Sequence, residues 1–209
     1  MEPEDSRMNK TSEYEFQTPL SAEPDPGLTV EQMVERVQQG EVQTYTLIIR
    51  TFQRQIYLYC YYLLGNREEA EDAAQDIFIK ALERVSQYSV QASFPAWLYR
   101  IAHNHCLDRI KQRNRGFRLL SLYKKQQQQA EAAGTQESRY TEVVHGLLEQ
   151  LSLEERQILL LRALEEHSYE EIGTIMDMNP ATVRKKYERL RKKLGRGRNA
   201  ERMITHESR

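Results

Sequence analysis

The sequence predicts an all-α protein built as two small helical domains joined by a flexible linker. Three observations lead there. Apolar residues recur at spacings of three and four, while alternating runs rich in Val, Ile and Thr are nearly absent. Gly and Pro are sparse and fall mostly where helices would begin or end. Two strongly periodic stretches are separated by a polar, Gln-rich stretch from 114 to 138, which reads as the linker, with weak helical tendency. A length of 209 residues suits one large domain or two small ones.

The elements follow in order. Residues 1–27 are acidic and carry Pro19, Pro24 and Pro26, the composition of a disordered arm. A short helix opens at Leu28 with Thr29 as its cap and ends near Gly40. A second runs from about Gln43 to Leu64 and presents Ile48, Phe52, Ile56, Tyr59 and Leu63 on one face; Gly65-Asn66 stops it. The third runs from about Arg67 to Ser86, with Glu68, Glu69, Glu71 and Asp72 near its start, where the helix dipole favours anions. One side is small and apolar (Ala70, Ala73, Ala74, Ile77, Ala81, Val85). The opposite stripe, Asp72, Gln75, Asp76 and Ile79, suits either a partner or a plainly solvated face. After a polar loop at 86–94, Pro95 sits in the first turn of a fourth helix carrying Trp97, Leu98, Ile101, Ala102, Cys106 and Ile110. Its end turns basic, which closes a first domain at 28–113.

The second domain, 139–198, begins with an amphipathic stretch from Tyr140 to Leu151. Ser152 with Glu155, and Ser168 with Glu171, form two capping boxes, in which the serine hydroxyl accepts the third N–H and the carboxylate reaches back. They open helices at about 153–163 and 169–176. Asn179-Pro180 opens the last one, with Asn as cap and Pro at the first helical position. Residues 199–209 form a tail.

The net charge of −1 hides an asymmetry. Residues 1–27 hold seven acidic and two basic residues, whereas 180–198 hold nine basic residues and only Glu188 opposing them. A basic end points to nucleic acid or to a solvated face. Cys60 and Cys106 lie inside apolar helical patterns, too few for a disulfide framework, and read as buried thiols of a cytoplasmic protein. The N-terminus lacks the apolar segment of a signal peptide, and the 47–64 run is cut by Arg50 and Arg54 and cannot span a membrane. His103 and His105 are too close on a helix to share a face, so neither metal nor cofactor is expected. No nucleophile–base set or phosphate-binding Gly loop argues for an enzyme.

A short helix, a turn of four residues (177–180) and a longer basic helix have the form of a helix-turn-helix. Val183, Tyr187, Leu190 and Leu194 would seat the last helix. Arg184, Lys185, Lys186 and Arg189 point mostly away, with Thr182, Arg184 and Lys185 near the helix start that meets base edges in this motif. Asn179, Thr182, Arg184, Lys185, Lys186 and Arg189 are therefore the expected duplex contacts. Gly173 sits where helices cross closely, and Asp177 where the turn often takes glycine.

Two blocks resemble one family. "LSLEERQILLLRALEEHSYEEIGTIMDMNPATVRKKYERLRKKL" is similar to region 4 of the extracytoplasmic-function (group IV) sigma factors of bacterial RNA polymerase. "NREEAEDAAQDIFIKALERV" and "FPAWLYRIAHNHCLDRIKQR" resemble their region 2. The likeness covers about Val42 to Arg196 and implies a non-catalytic initiation factor. Region 4 would read the promoter −35 element. Region 2 would bind core polymerase and trap the −10 strand. It turns the stripe of Asp72, Gln75, Asp76 and Ile79 into a surface for the β′ clamp helices, with the β flap a second polymerase contact. It gives the 86–94 loop with Tyr88, together with Trp97, Arg100, Asn104, Asp108, Arg109 and Arg113, to the −10 strand. Trp97 is read equally as a core anchor, and Asp108 as an ion-pair partner. The family also implies an anti-sigma partner, in many members a membrane-tethered one. The alternative is a stand-alone helix-turn-helix regulator.

Overall fold

The computed structural model describes residues 27–90, 92–121, 146, 148, 150–163 and 166–207, with backbone alone for 116–121 and 196–207. Among the described residues the regular structure is helical throughout: α1 (Val30–Gln38), α2 (Tyr45–Leu64), α3 (Arg67–Arg84), α4 (Phe94–Ser121), α5 (Leu153–Ala163), α6 (Tyr169–Met176) and α7 (Pro180–Glu207), with 3-10 turns at Val42–Thr44 and Val85–Gln87. No described helix is long and apolar enough to cross a membrane.

Local chemistry sets most of the boundaries. Thr29 and Gln32 close a capping box on α1. Gly65 ends α2 in the left-handed conformation (φ 71°), which costs glycine nothing. Asn66 then caps α3 by accepting from the Glu69 N–H at 2.9 Å. Two helices outrun the sequence expectation. α4 passes eight residues into the expected linker, through Gly116 to Ser121, and α7 passes Gly195 and Gly197 to Glu207 in the expected tail. An isolated glycine costs a helix only about 1 kcal/mol and does not by itself end one. The rest of the linker, the acidic arm before Gly27 and most of the Tyr140–Leu151 stretch lie outside the described residues.

α1–α4 share one core. The alanine side of α3 (Ala70, Ala73 and Ala81, each fully buried) lets α2 approach closely, with Ile48, Ile56 and Ile77 filling the contact. The Tyr45 hydroxyl donates to the Phe78 carbonyl at 2.6 Å, pinning the start of α2 to α3. α4 crosses both helices through Phe94, Leu98, Tyr99, Ala102 and Cys106, all with no exposure. The Tyr59 and Tyr99 rings meet edge to face at 5.3 Å. The Cys60 and Cys106 sulfurs lie 3.7 Å apart as free, buried thiols. α5–α7 form the second block, around Ile158, Leu161, Ile172, Val183 and Leu190.

Candidate nucleic-acid and protein interfaces

The helix-turn-helix is built by its caps. Ser168 and Glu171 form the capping box of α6, with both reciprocal bonds present. Asp177 ends α6 in the left-handed region (φ 54°), and the Met178 N–H donates to the Gly173 carbonyl at 2.8 Å. The Asn179 side chain accepts from the Ala181 N–H at 2.9 Å, so its oxygen is engaged as a cap. Val183 and Leu190 are buried against the block, while Thr182, Arg184, Lys185 and Arg189 are exposed on the opposite side of α7. Two of the basic residues carry carboxylate partners: Lys186 pairs with Glu154 of α5 at 2.7 Å, and Arg184 with Glu188 at 3.3 Å.

A second basic feature lies between α3 and α4. A cleft of about 310 Å³ is lined from α4 by Trp97, Arg100, Ile101, Asn104, His105 and Asp108, and from α3 and the turn after it by Lys80, Arg84 and Gln87. Trp97, Arg100, Asn104 and Asp108 are thus brought together as the helical spacing implies. Lys80, Arg84 and Gln87 were not singled out from the sequence, although Lys80 and Arg84 stand one helical turn apart. Lys80 Nζ donates to His105 Nδ1 at 2.6 Å. Burial, then Lys80 and Arg109, lower the His105 pKa against the opposing pull of Asp76 and Asp108, which keeps the ring neutral and able to accept that bond.

The other three residues expected on the −10 strand sit elsewhere. Arg109 binds Asp76 at 2.9 Å. Arg113 donates to the Leu64 carbonyl at 2.8 Å, closing the end of α2, and approaches Glu69 at 3.7 Å. Tyr88 is buried as a brace of the 86–94 loop: its ring meets Phe94 and Trp97 at 5.4 and 5.6 Å, and its hydroxyl donates to the Ala92 carbonyl at 2.9 Å. Trp97 therefore serves as packing and as cleft wall together. Asp108 does carry an ion pair, with Lys111 at 3.7 Å, but both partners are well exposed. Gln38 of α1 had drawn no notice in the sequence. Its amide donates to the Val85 and Tyr88 carbonyls at 2.7 and 3.0 Å, tying the loop to α1. Val90, near the loop tip, is 83% exposed.

On the outer side of α3, Asp72, Gln75 and Ile79 are exposed, Ile79 by 57%. Asp76 of the same stripe is drawn inward by Arg109 and, at 3.7 Å, by His105. No cluster of His, Cys, Asp or Glu among the described residues could hold a metal ion.

Comparison with known proteins matches residues 48–116 to Sigma-70 region 2 and residues 141–194 to Sigma-70 region 4. The chain is 30% identical over 187 residues to the ECF RNA polymerase sigma factor SigW of Bacillus subtilis, covering 80% of this chain and 95% of that one. It is 31% identical over 174 residues to the RNA polymerase sigma-H factor of Pseudomonas aeruginosa, covering 77% and 89%. In fold it resembles CnrH, solved in complex with the cytosolic domain of CnrY (TM-score 0.62, 18% identity, 80% of this chain and 96% of that one). It also resembles the sigma factor RpoE of Bartonella quintana, solved with the anti-sigma factor NepR (TM-score 0.62, 21% identity, 72% and 93%).

Proposed function

Because the chain belongs to the extracytoplasmic-function sigma factors of the sigma-70 family, and so is a promoter-specific alternative sigma factor, we propose a division of labour among its surfaces. α7 reads the −35 duplex, with Thr182, Arg184, Lys185 and Arg189 toward the DNA. The α3–α4 cleft takes the −10 strand, with Lys80, Arg84, Arg100 and Asn104 along it. The exposed Asp72, Gln75 and Ile79 meet core polymerase. Arg109, Arg113 and Tyr88 hold the cleft and loop in shape.

The observation that carries the reading is the pairing of two differently shaped basic surfaces in one chain. An exposed helix suits the major groove of a duplex. A cleft walled by a tryptophan and lined by cations suits an unpaired strand, where stacking and phosphate contacts offset the few kcal/mol lost on unstacking a base. A stand-alone regulator would leave the cleft and the α3 stripe without a use. CnrH and RpoE were solved with partner proteins, RpoE's being an anti-sigma factor. We extend to this chain a protein inhibitor of that kind.

The test is to add the chain to core RNA polymerase and map transcript starts on genomic DNA of the source organism. New, discrete start sites are expected; their absence in the presence of demonstrable core binding would overturn the reading. Asp72→Arg combined with Ile79→Ala should weaken core binding about tenfold or more, since it places a charge and removes an apolar anchor at an interface centre. Circular dichroism should be unchanged, because both side chains are exposed.

A further inference from the structure

One cation of the α3–α4 cleft is held differently from the others. Arg84 and Arg100 are exposed, whereas Lys80 is half-buried and its partner His105 is 8% exposed. Lys80 Nζ lies 2.6 Å from His105 Nδ1. An ammonium only donates, so Nδ1 is the bare nitrogen of the neutral ring and the ring hydrogen sits on Nε2. Nε2 is buried, makes no hydrogen bond among the described residues, and faces Asp76 Oδ2 at 3.7 Å. Asp76 belongs to the stripe expected on core polymerase, yet Arg109 holds it at 2.9 Å, on the ring's side of α3. A negative charge beside Nε2 favours the tautomer with its hydrogen there, which presents the Nδ1 lone pair to Lys80.

The neutrality of this acceptor matters for a lysine that is to meet a phosphate. The two carboxylates beside the ring are engaged elsewhere, Asp76 by Arg109 and Asp108 by Lys111 at 3.7 Å. A carboxylate in the place of His105 would cancel the ammonium's charge and compete with the strand for it. A neutral imidazole takes one of the three N–H groups and leaves two, with the whole charge, for phosphate oxygens. It also settles the stem beforehand. Four rotatable bonds lose much of their freedom when a lysine is pinned, and a stem ordered on folding does not lose that freedom again on binding. Lys80 and His105 stand 25 positions apart, so only the crossing of α3 and α4 brings them together.

We infer that His105 is a positioning residue for strand binding: through Nδ1 it holds the Lys80 ammonium, its charge uncompensated, where a phosphate of the strand enters the cleft. Asp76, through Nε2, sets the tautomer that this needs. One member of the α3 stripe thus serves the cleft, while Asp72, Gln75 and Ile79 remain free for polymerase. His105 acts through the lysine and need not touch the strand. The inference rests on the assignment of the cleft to the −10 strand.

The test uses holoenzyme assembled from core RNA polymerase and the full chain. It is titrated with a fluorescent single strand carrying the −10 sequence of a promoter found by the start-site mapping. Lys80→Met should weaken strand binding about tenfold, the usual effect of losing a hydrogen bond from a charged group. His105→Phe keeps the bulk of the ring without an acceptor and should weaken binding about fivefold, because the lysine is then no longer ordered in advance. His105→Asn, whose side-chain oxygen can stand near the position of Nδ1, should recover most of that loss. In the Lys80→Met background, His105→Phe should add less than about twofold, since its effect runs through the lysine. Unchanged affinity in His105→Phe, no recovery in His105→Asn, or an equal loss in both backgrounds overturns the positioning role. Should His105→Phe fail to fold, nitrogen NMR of the histidine rings in the unsubstituted chain decides instead. The ring that responds to Lys80→Met should carry its hydrogen on Nε2; a hydrogen on Nδ1, or no responding ring, overturns the proposal. If Lys80→Met itself leaves strand affinity unchanged, or the mapping yields no discrete start, it is the assignment of the cleft that fails, and the proposal with it.

Discussion

Replacing Gly173 by valine should destroy the helix-turn-helix and abolish duplex binding by the second block. A Cβ at this position would lie 2.6 Å from the Met178 carbonyl oxygen and 3.3 Å from the Pro180 ring. The nearest obstacle is backbone, in the turn that sets the angle between α6 and α7. It cannot swing aside like a side chain, so the turn must move and the 2.8 Å bond from the Met178 N–H to the Gly173 carbonyl must distort. Overpacking alone costs about 1–3 kcal/mol, and the two further valine methyl groups add to it. A loss of roughly 3 kcal/mol or more is expected in denaturant unfolding followed on this block, with at least about a hundredfold loss of −35 duplex affinity. Gly146→Ala is the control. It is helical, with nothing within 4 Å of an added Cβ, and should be neutral or stabilising by up to about 1 kcal/mol. Equal effects of the two substitutions would refute the close-approach argument.

Acidification towards pH 4 should strongly destabilise the first block through one buried histidine. His103 on α4 is 6% exposed, and its Nδ1 is buried without a hydrogen-bond partner among the described residues. Burial first, and Lys111 second, lower its pKa from 6.5 to about 4. A base whose folded pKa lies below its unfolded value holds fewer protons when folded. Stability is therefore complete above about pH 6.5 and drains away as the pH falls towards 4. At about 1.36 kcal/mol per unit the full loss is about 3 kcal/mol, a large share of a small domain's stability. His105, on the same helix, is lowered by burial too and adds in the same direction. Urea midpoints between pH 7.5 and 4.5 should fall steadily. His103→Leu should flatten that fall, whereas an unchanged slope would show that His103 is not the group responsible.

What could be read from the sequence was local. Capping boxes such as Ser168 with Glu171 span three residues and declare themselves, as do Asn179-Pro180 and the alanine face of α3. Helix ends without a stop signal were less legible: polar composition marked 114 onward as linker, yet α4 runs on to Ser121, since a lone glycine such as Gly116 need not end a helix. The cleft was half visible. Trp97, Arg100 and Asn104 share a helical face, but Lys80 and Arg84 join them only through the crossing of α3 and α4. Likewise nothing in the stretch around Arg109 or Arg113 says that one holds Asp76 and the other the Leu64 carbonyl. Glu171 was legible as a cap; its second bond, to Ser93, joins residues 78 positions apart.

The ion pair between Lys186 and Glu154 bears on how DNA affinity responds to salt. A lysine without a protein partner displaces a condensed counterion when it meets a phosphate, and each such contact contributes about −0.9 to the slope of log affinity against log salt. A lysine that must first leave a carboxylate exposes an anion, which recruits a cation from solution and cancels part of that release. Of the four basic residues expected on the duplex, Arg184 and Lys186 begin with carboxylates, while Lys185 and Arg189 show no ion pair among the described residues. The contribution of these four residues to the slope should thus lie nearer to about −2 than to the roughly −4 expected if all four were free. Carboxylates beside a recognition helix in this way trade binding strength for tolerance of ionic strength.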